Sequence, residues 1–375
     1  MAPSTRRIAR NHLPVSAVSR DLLDDVRELI LSAREHVAQA VNAGLTLLYW
    51  QVGDRIRRGI LQEKRAEHGE RVVASLAVRL EREFGRGFAE KNLRRMIQFV
   101  EVFPDQKIIV SLIRHLTWTH FIALIPIRDP LARDFYAEMT RIERWSVRTL
   151  RSRIGSMLFE RTALSRKPAK LAAQELRALR EDDKLTPDLV FRDPYVLDFL
   201  GLADTYSEKD IEAAILREIE SFLLELGAGF AFLERQKRIT LDGDDYYLDL
   251  LFYHRRLRRL VVIELKLGEF KPADKGQVEL YLRWLDRHER QDGEEAPLAL
   301  ILCAGTKRET VEYLDLGRSG IHVAEYLTEL PPRELLEQRL HQAVARARAR
   351  LAQEAAAVPP GGDPIRDRKA RSRTG

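Results

Sequence analysis

Two carboxylates and a lysine lie on neighbouring strand-like runs, at spacings that could bring their side chains together. The runs are Tyr246–Tyr253, which contains Asp249, and Leu260–Leu267, which contains Glu264 and Lys266. Successive side chains of a strand point to opposite faces, so Glu264 and Lys266 share one face of the second run. The sequence therefore predicts a carboxylate and an ammonium projecting together from an otherwise apolar strand.

The segment between the two runs predicts how they pair. A hairpin centred between Arg256 and Leu257 puts Asp249 opposite Glu264, on the same face of the sheet. Directly opposed residues have Cβ atoms about 5 Å apart, and like charges at that distance destabilise a sheet. A hard cation with oxygen ligands removes this cost, and Mg²⁺ is typically held by one or two carboxylates plus water and phosphate. We therefore expect Mg²⁺ or Mn²⁺ at this acid pair.

Such a centre suits phosphodiester hydrolysis. The cation neutralises the phosphate, orients the attacking water and stabilises the leaving oxygen. Lys266 can hold the water or stabilise negative charge on the phosphate. The competing interpretation is a solvated face on which Asp249 or Glu264 simply pairs with Lys266 or an arginine, but it must also explain the aligned aspartate and the apolar surroundings.

The elements around these residues predict one mixed α/β layer, in the order α-β-β-β-α-β-α-β-α. An amphipathic helix is predicted over Ser207–Leu226. It precedes three predicted strands, which are the two runs above and a run before them. The other predicted elements are strands over Phe230–Thr240, Leu298–Cys303 and Ile321–Tyr326, and helices over 274–288, 308–314 and 332–351. The first 160 residues, in contrast, are predicted to be almost entirely helical.

Composition narrows the class of protein. The 375 residues carry a formal net charge of +6, which suits a nucleic-acid partner without establishing one. The single cysteine, Cys303, lies in an apolar run, which excludes an internal disulfide and favours a core thiol in a reducing cytoplasm. No run approaches the roughly 18 apolar residues of a transmembrane helix, and no secretory signal is evident. We expect a cytoplasmic protein without a membrane partner; a homodimer is left open.

Asp249 and the Glu264-Leu-Lys266 motif on consecutive strands resemble the PD-(D/E)xK nuclease superfamily. The resemblance implies a restriction-endonuclease-like α-β-β-β-α-β core with a mixed sheet. It also implies that Asp249, Glu264 and the backbone carbonyl of Leu265 bind a divalent metal, and that Lys266 assists the nucleophile. One departure is Leu248, which stands where the motif often has proline.

Two further features support the resemblance. Gln277 and Tyr281, four residues apart on one helix face, are similar to the Q-x-x-x-Y feature of RecB-like and resolvase-like members, which supports the site and contacts substrate. The first helix of the core often supplies a glutamate. Glu212 falls in the apolar stripe of that helix with Ile215 and is the first choice, and Glu218 is the second.

Several segments are similar to the bacterial YhcG-type family of nucleases, over about residues 20–350. They include Tyr206–Asp210, Phe222–Gly227, Asp249–Tyr253, Val262–Lys266 and Phe270–Pro272, with Tyr49-Trp50, Gly53, Phe84–Phe88 and Asn92-Leu93 in the N-terminal half. The predicted domains are a flexible N-terminus (1–18), a helical DNA-binding domain (19–160), a charged helical linker (161–195), a PD-(D/E)xK nuclease-like domain (196–352) and a disordered basic tail (353–375).

The helical half contains a basic cluster that could bind nucleic acid. The segment Phe88–Val102 resembles the recognition helix of a helix-turn-helix. Its candidate contacts to phosphates or base edges are Arg86, Lys91, Arg94 and Arg95. The alternatives are an ordinary solvated helix face and a dimerisation bundle.

The sequence therefore predicts a metal-dependent nuclease that acts on DNA rather than RNA. The main alternative is a non-catalytic nucleic-acid-binding or regulatory protein on the same fold, and a protein-interaction scaffold is a third. Cleavage that requires a divalent metal would distinguish the nuclease from both of these alternatives.

Overall fold

The computed structural model describes residues 20–62, 66–202, 206–306, 311, 313–314, 316–328 and 333–357. The predicted flexible terminus and most of the predicted basic tail lie outside these ranges. The chain forms two compact units, Met1–Ile125 and Pro126–Gly375. The predicted domain boundary after residue 160 falls inside the second unit.

The described residues of the first unit form helices joined by short turns and contain no strand, as expected. Its helices are α1 (Arg20–Gln62), α2 (Ala66–Phe84), α3 (Glu90–Val102), α4 (Gln106–Leu112) and α5 (Trp118–Leu124). The core lies mainly between α1 and α3, where Met96 and Phe99 are fully buried. Gly53 of α1 allows this packing, because a Cβ at that position would stand 2.0 Å from the carbonyl oxygen of Met96. The helix-turn-helix arrangement remains a prediction.

The second unit contains a six-stranded mixed sheet in the order β1-β6-β5-β4-β3-β2. Its strands are β1 (Tyr195–Val196), β2 (Phe230–Leu241), β3 (Asp244–His254), β4 (Arg259–Glu269), β5 (Leu298–Gly305) and β6 (Ile321–Leu327). Strands β2, β3 and β4 are antiparallel neighbours, whereas β4, β5, β6 and β1 run parallel. The prediction of a mixed sheet in an α/β domain is confirmed, and β1 is an additional strand.

Helices cover both faces of this sheet. The helices of the unit are α6 (Pro130–Glu143), α7 (Val147–Gly155), α8 (Leu158–Arg161), α9 (Ala169–Asp182), α10 (Pro187–Val190), α11 (Glu208–Arg217), α12 (Ile219–Leu226), α13 (Pro272–His288) and α14 (Arg333–Ala357). One apolar cluster joins α11 and α12 to one sheet face, and another joins α13 to the opposite face. Among the described helices, none is both long and apolar enough to cross a bilayer.

The segment predicted as a charged linker, 161–195, is a packed part of the second unit. Leu176 and Leu179 of α9 are buried. Arg180 of the same helix donates to the Glu138 carboxylate of α6 at 2.6 Å, and Glu138 itself is fully buried. The charges that suggested a solvated helix are therefore partly used in ion pairs inside the fold.

The predicted hairpin register is confirmed. The pairs in β3 and β4 run from His254 with Arg259 to Leu250 with Ile263, which centres the hairpin between Arg256 and Leu257. The apolar face of β4 is also as expected over most of its length, since Val261, Ile263 and Leu265 are buried, but Leu267 is 37% exposed. The observed pairs end at Leu250 with Ile263, so the direct pairing of Asp249 with Glu264 stays a prediction, but the charge of Asp249 is close enough to raise the pKa of Glu264.

Candidate metal-dependent active site

Asp249 is held by the strands on both sides of it. Its Oδ2 accepts a hydrogen bond from the backbone N–H of Leu265 at 2.9 Å, and its Oδ1 accepts one from the Gln236 amide at 3.1 Å. Burial raises the pKa of Asp249 although both hydrogen bonds oppose that change. The carboxylate is thus fixed in orientation across three strands, β2, β3 and β4.

Glu264 is buried with one oxygen left unsatisfied. The side chain is 2% exposed, and Oε1 accepts from the Lys266 ammonium at 3.0 Å. Oε2 is buried and has no hydrogen-bond partner among the described residues. Burial first, and then the charge of Asp249, raise the pKa of Glu264 to about 7. An unpartnered buried carboxylate oxygen is costly, so this position is electrostatically incomplete.

The residues present fit a hard divalent cation. Two carboxylates of like charge, one with a free buried oxygen, and the adjacent Leu265 backbone form an all-oxygen donor set of the kind Mg²⁺ uses with water and phosphate. Within the described part of the chain, no group of three or more His, Cys, Asp or Glu side chains could hold a metal ion. Any cation here would therefore rely on the acid pair, backbone oxygen and water.

Lys266 lies on the same face as Glu264, as the strand alternation predicted. Burial opposes its charged form, but Glu264 and then Glu208 raise the pKa of Lys266. The ammonium therefore stays protonated at neutral pH. A fixed cation beside the acid pair can hold water or compensate negative charge on a bound phosphate.

Gln277 and Tyr281 of α13 lie together behind Glu264. The Gln277 amide donates to the Tyr281 hydroxyl and lies 3.5 Å from Oε1 of Glu264, and the Tyr281 hydroxyl donates to the Tyr247 carbonyl at 3.1 Å. Tyr281 has no exposed surface, so the substrate contact that the resemblance implied is not available to it. Its position suits support of Gln277 instead.

Glu212 is the predicted acidic residue of α11 that approaches the site. Its side chain is buried, and its Oε2 accepts from the Gln236 amide at 2.7 Å. The predicted helix 207–226 is in fact two helices that meet at Glu218, where the backbone leaves helical geometry. Glu218, the second choice, lies beside Arg217 at that break. Of the two predicted glutamates, Glu212 is the one connected to Asp249, through the Gln236 amide.

Gln236 was not predicted, yet its single amide group bridges Glu212 and Asp249. Its backbone is left-handed, with φ of 49°, a conformation that is uncommon for residues other than glycine. The pairs on either side are Arg235 with Leu250 and Lys237 with Leu248. The irregularity coincides with a break in the alternation of β3, since Leu248 joins the α13 cluster whereas Leu250 faces α11.

Loss of the Gln236 amide is expected to lower cleavage by about 10- to 100-fold, as for other residues that orient metal ligands. The comparison is Gln236→Ala with Gln236→Gly, because glycine adopts the left-handed backbone without strain. Both variants should show the same loss in single-turnover cleavage, and Gln291→Ala, in an exposed loop, should show none. Full activity in Gln236→Gly would mean that the backbone turn, not the amide, matters.

Glu208 is a second acidic residue that the sequence did not single out. Its Oε1 accepts from the Leu267 N–H at 3.0 Å, just beyond Lys266. It lies one turn before Glu212 on α11, so both carboxylates share a helix face. That i, i+4 spacing is the signal that could have found it.

The predicted nucleic-acid contacts lie around the start of α3 in the first unit. Arg86, Lys91 and Arg94 are exposed and Arg95 is half-buried. Arg94 pairs with Glu90 at 2.7 Å, which offsets part of the local positive charge. Their role in binding remains a prediction.

Comparison with known proteins shows the family to which the chain belongs. Residues 188–341 match the YhcG PDDEXK nuclease domain, and residues 25–161 match the DUF1016 N-terminal domain. The second unit therefore carries a nuclease domain of the PDDEXK class. The chain is also 34% identical over 361 residues to the Escherichia coli (strain K12) protein named "Putative nuclease YhcG", covering 88% of this chain and 94% of that one. The chain belongs to the YhcG family.

Solved structures give more distant matches. They include the structure of an EndoMS–dsDNA2 complex, 22% identical with a TM-score of 0.27, and a repair endonuclease from Pyrococcus abyssi, 20% identical with a TM-score of 0.24. Each match covers 35% of this chain. This chain spans about half the length of those proteins, 48% and 50% respectively.

Proposed function

We propose that this protein is a Mg²⁺- or Mn²⁺-dependent nuclease that hydrolyses phosphodiester bonds, with DNA preferred over RNA. The observation that carries the proposal is the buried, unpartnered oxygen of Glu264 beside the carboxylate of Asp249. Two buried like charges gain little for a structural protein, but they suit a site that binds a cation with its substrate.

The chain's own residues have distinct tasks in this proposal. Asp249, Glu264 and the Leu265 carbonyl hold the cation, which when bound supplies charge neutralisation and water activation. Lys266 holds the attacking water or compensates the phosphate charge. Glu212, through Gln236, fixes Asp249 in position, whereas Gln277 and Tyr281 support Glu264.

The preference for DNA rests on the resemblance of the segment Phe88–Val102, in the basic first unit, to the recognition helix of a helix-turn-helix. Arg86, Lys91, Arg94 and Arg95 provide cations at the start of α3, where a recognition helix would contact phosphates or base edges. Binding through phosphates alone would be salt-sensitive, with dissociation constants of about 10⁻⁴–10⁻⁶ M. A cytoplasmic location is part of the proposal, since the one cysteine is free and buried.

The test is a cleavage assay on matched duplex DNA, single-stranded DNA, branched DNA and RNA. The wild-type protein is expected to cut DNA with Mg²⁺ or Mn²⁺ and to stop when EDTA is added. Salt-sensitive binding without cleavage would instead identify a non-catalytic nucleic-acid-binding protein. Absence of both binding and cleavage would point to a protein-interaction scaffold.

A further inference from the structure

Helix α1 packs into the first unit with only one face of its C-terminal half. Thr46 and Trp50 are buried, and Gly53 follows on the same face, against α3. An α-helix turns about 100° per residue, so Leu48, two residues from Thr46 and from Trp50, points the opposite way. Leu48 is 40% exposed and belongs to a different surface.

That outer face continues toward the N-terminus as an apolar stripe. We call it the α1 stripe, and its residues alternate spacings of four and three: Val26, Ile30, Ala33, Val37, Ala40 and Gly44. Every residue from Asp24 to Asn42 is exposed, so no described residue covers the stripe. Glu28, Glu35 and Gln39 occupy the opposite face, where Leu31 is the one large apolar residue among the described positions and is 57% exposed. The N-terminal half of α1 is therefore amphipathic on the side that faces away from the core.

An exposed stripe of this kind needs a partner for physical reasons. Most helical stability in proteins comes from packing an amphipathic face rather than from intrinsic propensity. Val37 is 64% exposed and Val26 is 43% exposed. The exposed part of α1, Asp24 to Asn42, extends about five turns beyond the last core contact, and no other described residue packs against it.

The stripe is complementary to itself when two copies run antiparallel. Glu35 marks the centre of a mirror in the sequence. The pairs across it are Val26 with Gly44, Ile30 with Ala40, and Ala33 with Val37. Each layer joins one larger side chain to a smaller one, which lets the helices approach closely and fill the space between them. A parallel pair would instead set Gly44 against Gly44 and Val37 against Val37.

We propose that the α1 stripe is the surface on which two copies of this chain form an antiparallel homodimer. An interface related by a two-fold axis uses the same patch on both subunits and closes on itself. Gly44 agrees with this role, because a Cβ there would meet nothing within 4 Å in its own chain. Its small size makes room for Val26 of the second copy.

The first test measures the mass of the full chain by sedimentation velocity at micromolar concentration. The 43.3 kDa chain is expected to sediment as a dimer, and Val37→Glu as a monomer whose helical circular dichroism falls by no more than the contribution of the N-terminal half of α1. Gln39→Glu, the same new side chain on the opposite face, should leave the dimer intact. A monomeric wild type would overturn the proposal and give the stripe another occupant, and so would a dimer that Val37→Glu does not dissociate.

The second test measures orientation by cross-linking and does not depend on a destabilising variant. A Val26→Cys, Gly44→Cys chain should form covalent dimers on mild oxidation, since these positions meet across the interface. They are five turns apart within one helix, about 27 Å, so they cannot join internally. Val26→Cys alone should not cross-link, and buried Cys303 makes the wild type a negative control. Cross-linking of Val26→Cys alone would overturn the antiparallel arrangement.

Discussion

The Asp249→Asn variant is expected to cleave at least about 10³-fold more slowly than the wild type, a loss of ~4 kcal/mol in transition-state stabilisation. The substitution removes a negative charge from the acid pair but preserves the size of the side chain. It also replaces an acceptor of the Leu265 N–H or the Gln236 amide with a donor. The measurement is single-turnover cleavage with saturating Mg²⁺.

A matched control lies on the same strand. Asp245 pairs with Arg238 at 2.7 Å and accepts from Thr240 at 2.7 Å, and neither contact involves the acid pair. Asp245→Asn should therefore cleave at the wild-type rate. Equal activity in wild type and Asp249→Asn would remove Asp249 from the site, whereas equal losses in both variants would indicate a general effect on the fold.

The Glu264→Gln variant is expected to be inactive and yet more stable than the wild type without metal. Burial and Asp249 raise the pKa of Glu264 to about 7 from 4.5. The folded protein therefore binds more protons than the unfolded chain between these pH values, and its stability falls as pH rises through that window. Above pH 7 the buried Glu264 carboxylate is charged and lowers the free energy of unfolding by at most about 3 kcal/mol. A neutral amide at this position would remove that destabilisation.

Urea unfolding in EDTA at pH 5 and pH 8 measures this effect. The gain from Glu264→Gln should be small at pH 5 and largest at pH 8. Adding Mg²⁺ should stabilise the wild type, since a ligand of the folded state raises stability by mass action, but not the variant. Glu279→Gln serves as the control, because Glu279 is partly exposed and paired with Lys275. A gain independent of pH would contradict the electrostatic explanation.

The hairpin could be predicted because the residues that determine its pairing are close together in the sequence. A short loop and alternating strands determine which residues of β3 and β4 face each other, and the observed pairs agree with the predicted centre. The Gln277 and Tyr281 pair could also be predicted, since i, i+4 positions on a helix always share a face. These features depend on residues only a few positions apart.

The remaining features depend on contacts between distant residues. The left-handed turn at Gln236 follows from how β2 meets β3, which no local pattern specifies. The many charges of α9 suggest a solvated helix, but Arg180 donates to the buried Glu138 carboxylate of α6. His254 precedes the charged hairpin loop but is fully buried, with Nδ1 accepting from the Leu257 N–H at 3.1 Å. In each case, contacts with other residues of the fold determine the conformation or burial of the residue, and its local sequence propensity does not.

Strand β1 has a consequence for the order in which the domain folds. It is two residues long, and Tyr195 pairs with Tyr326 of β6, so it joins the two ends of the domain. Contacts between neighbours in sequence form faster than those that close long loops. During synthesis, the hairpin with Asp249 and Glu264 can pair while β6 is still inside the ribosome, whereas β1 must wait for the last strand. We therefore expect the acid pair to be assembled early in synthesis and this edge of the sheet to be assembled late.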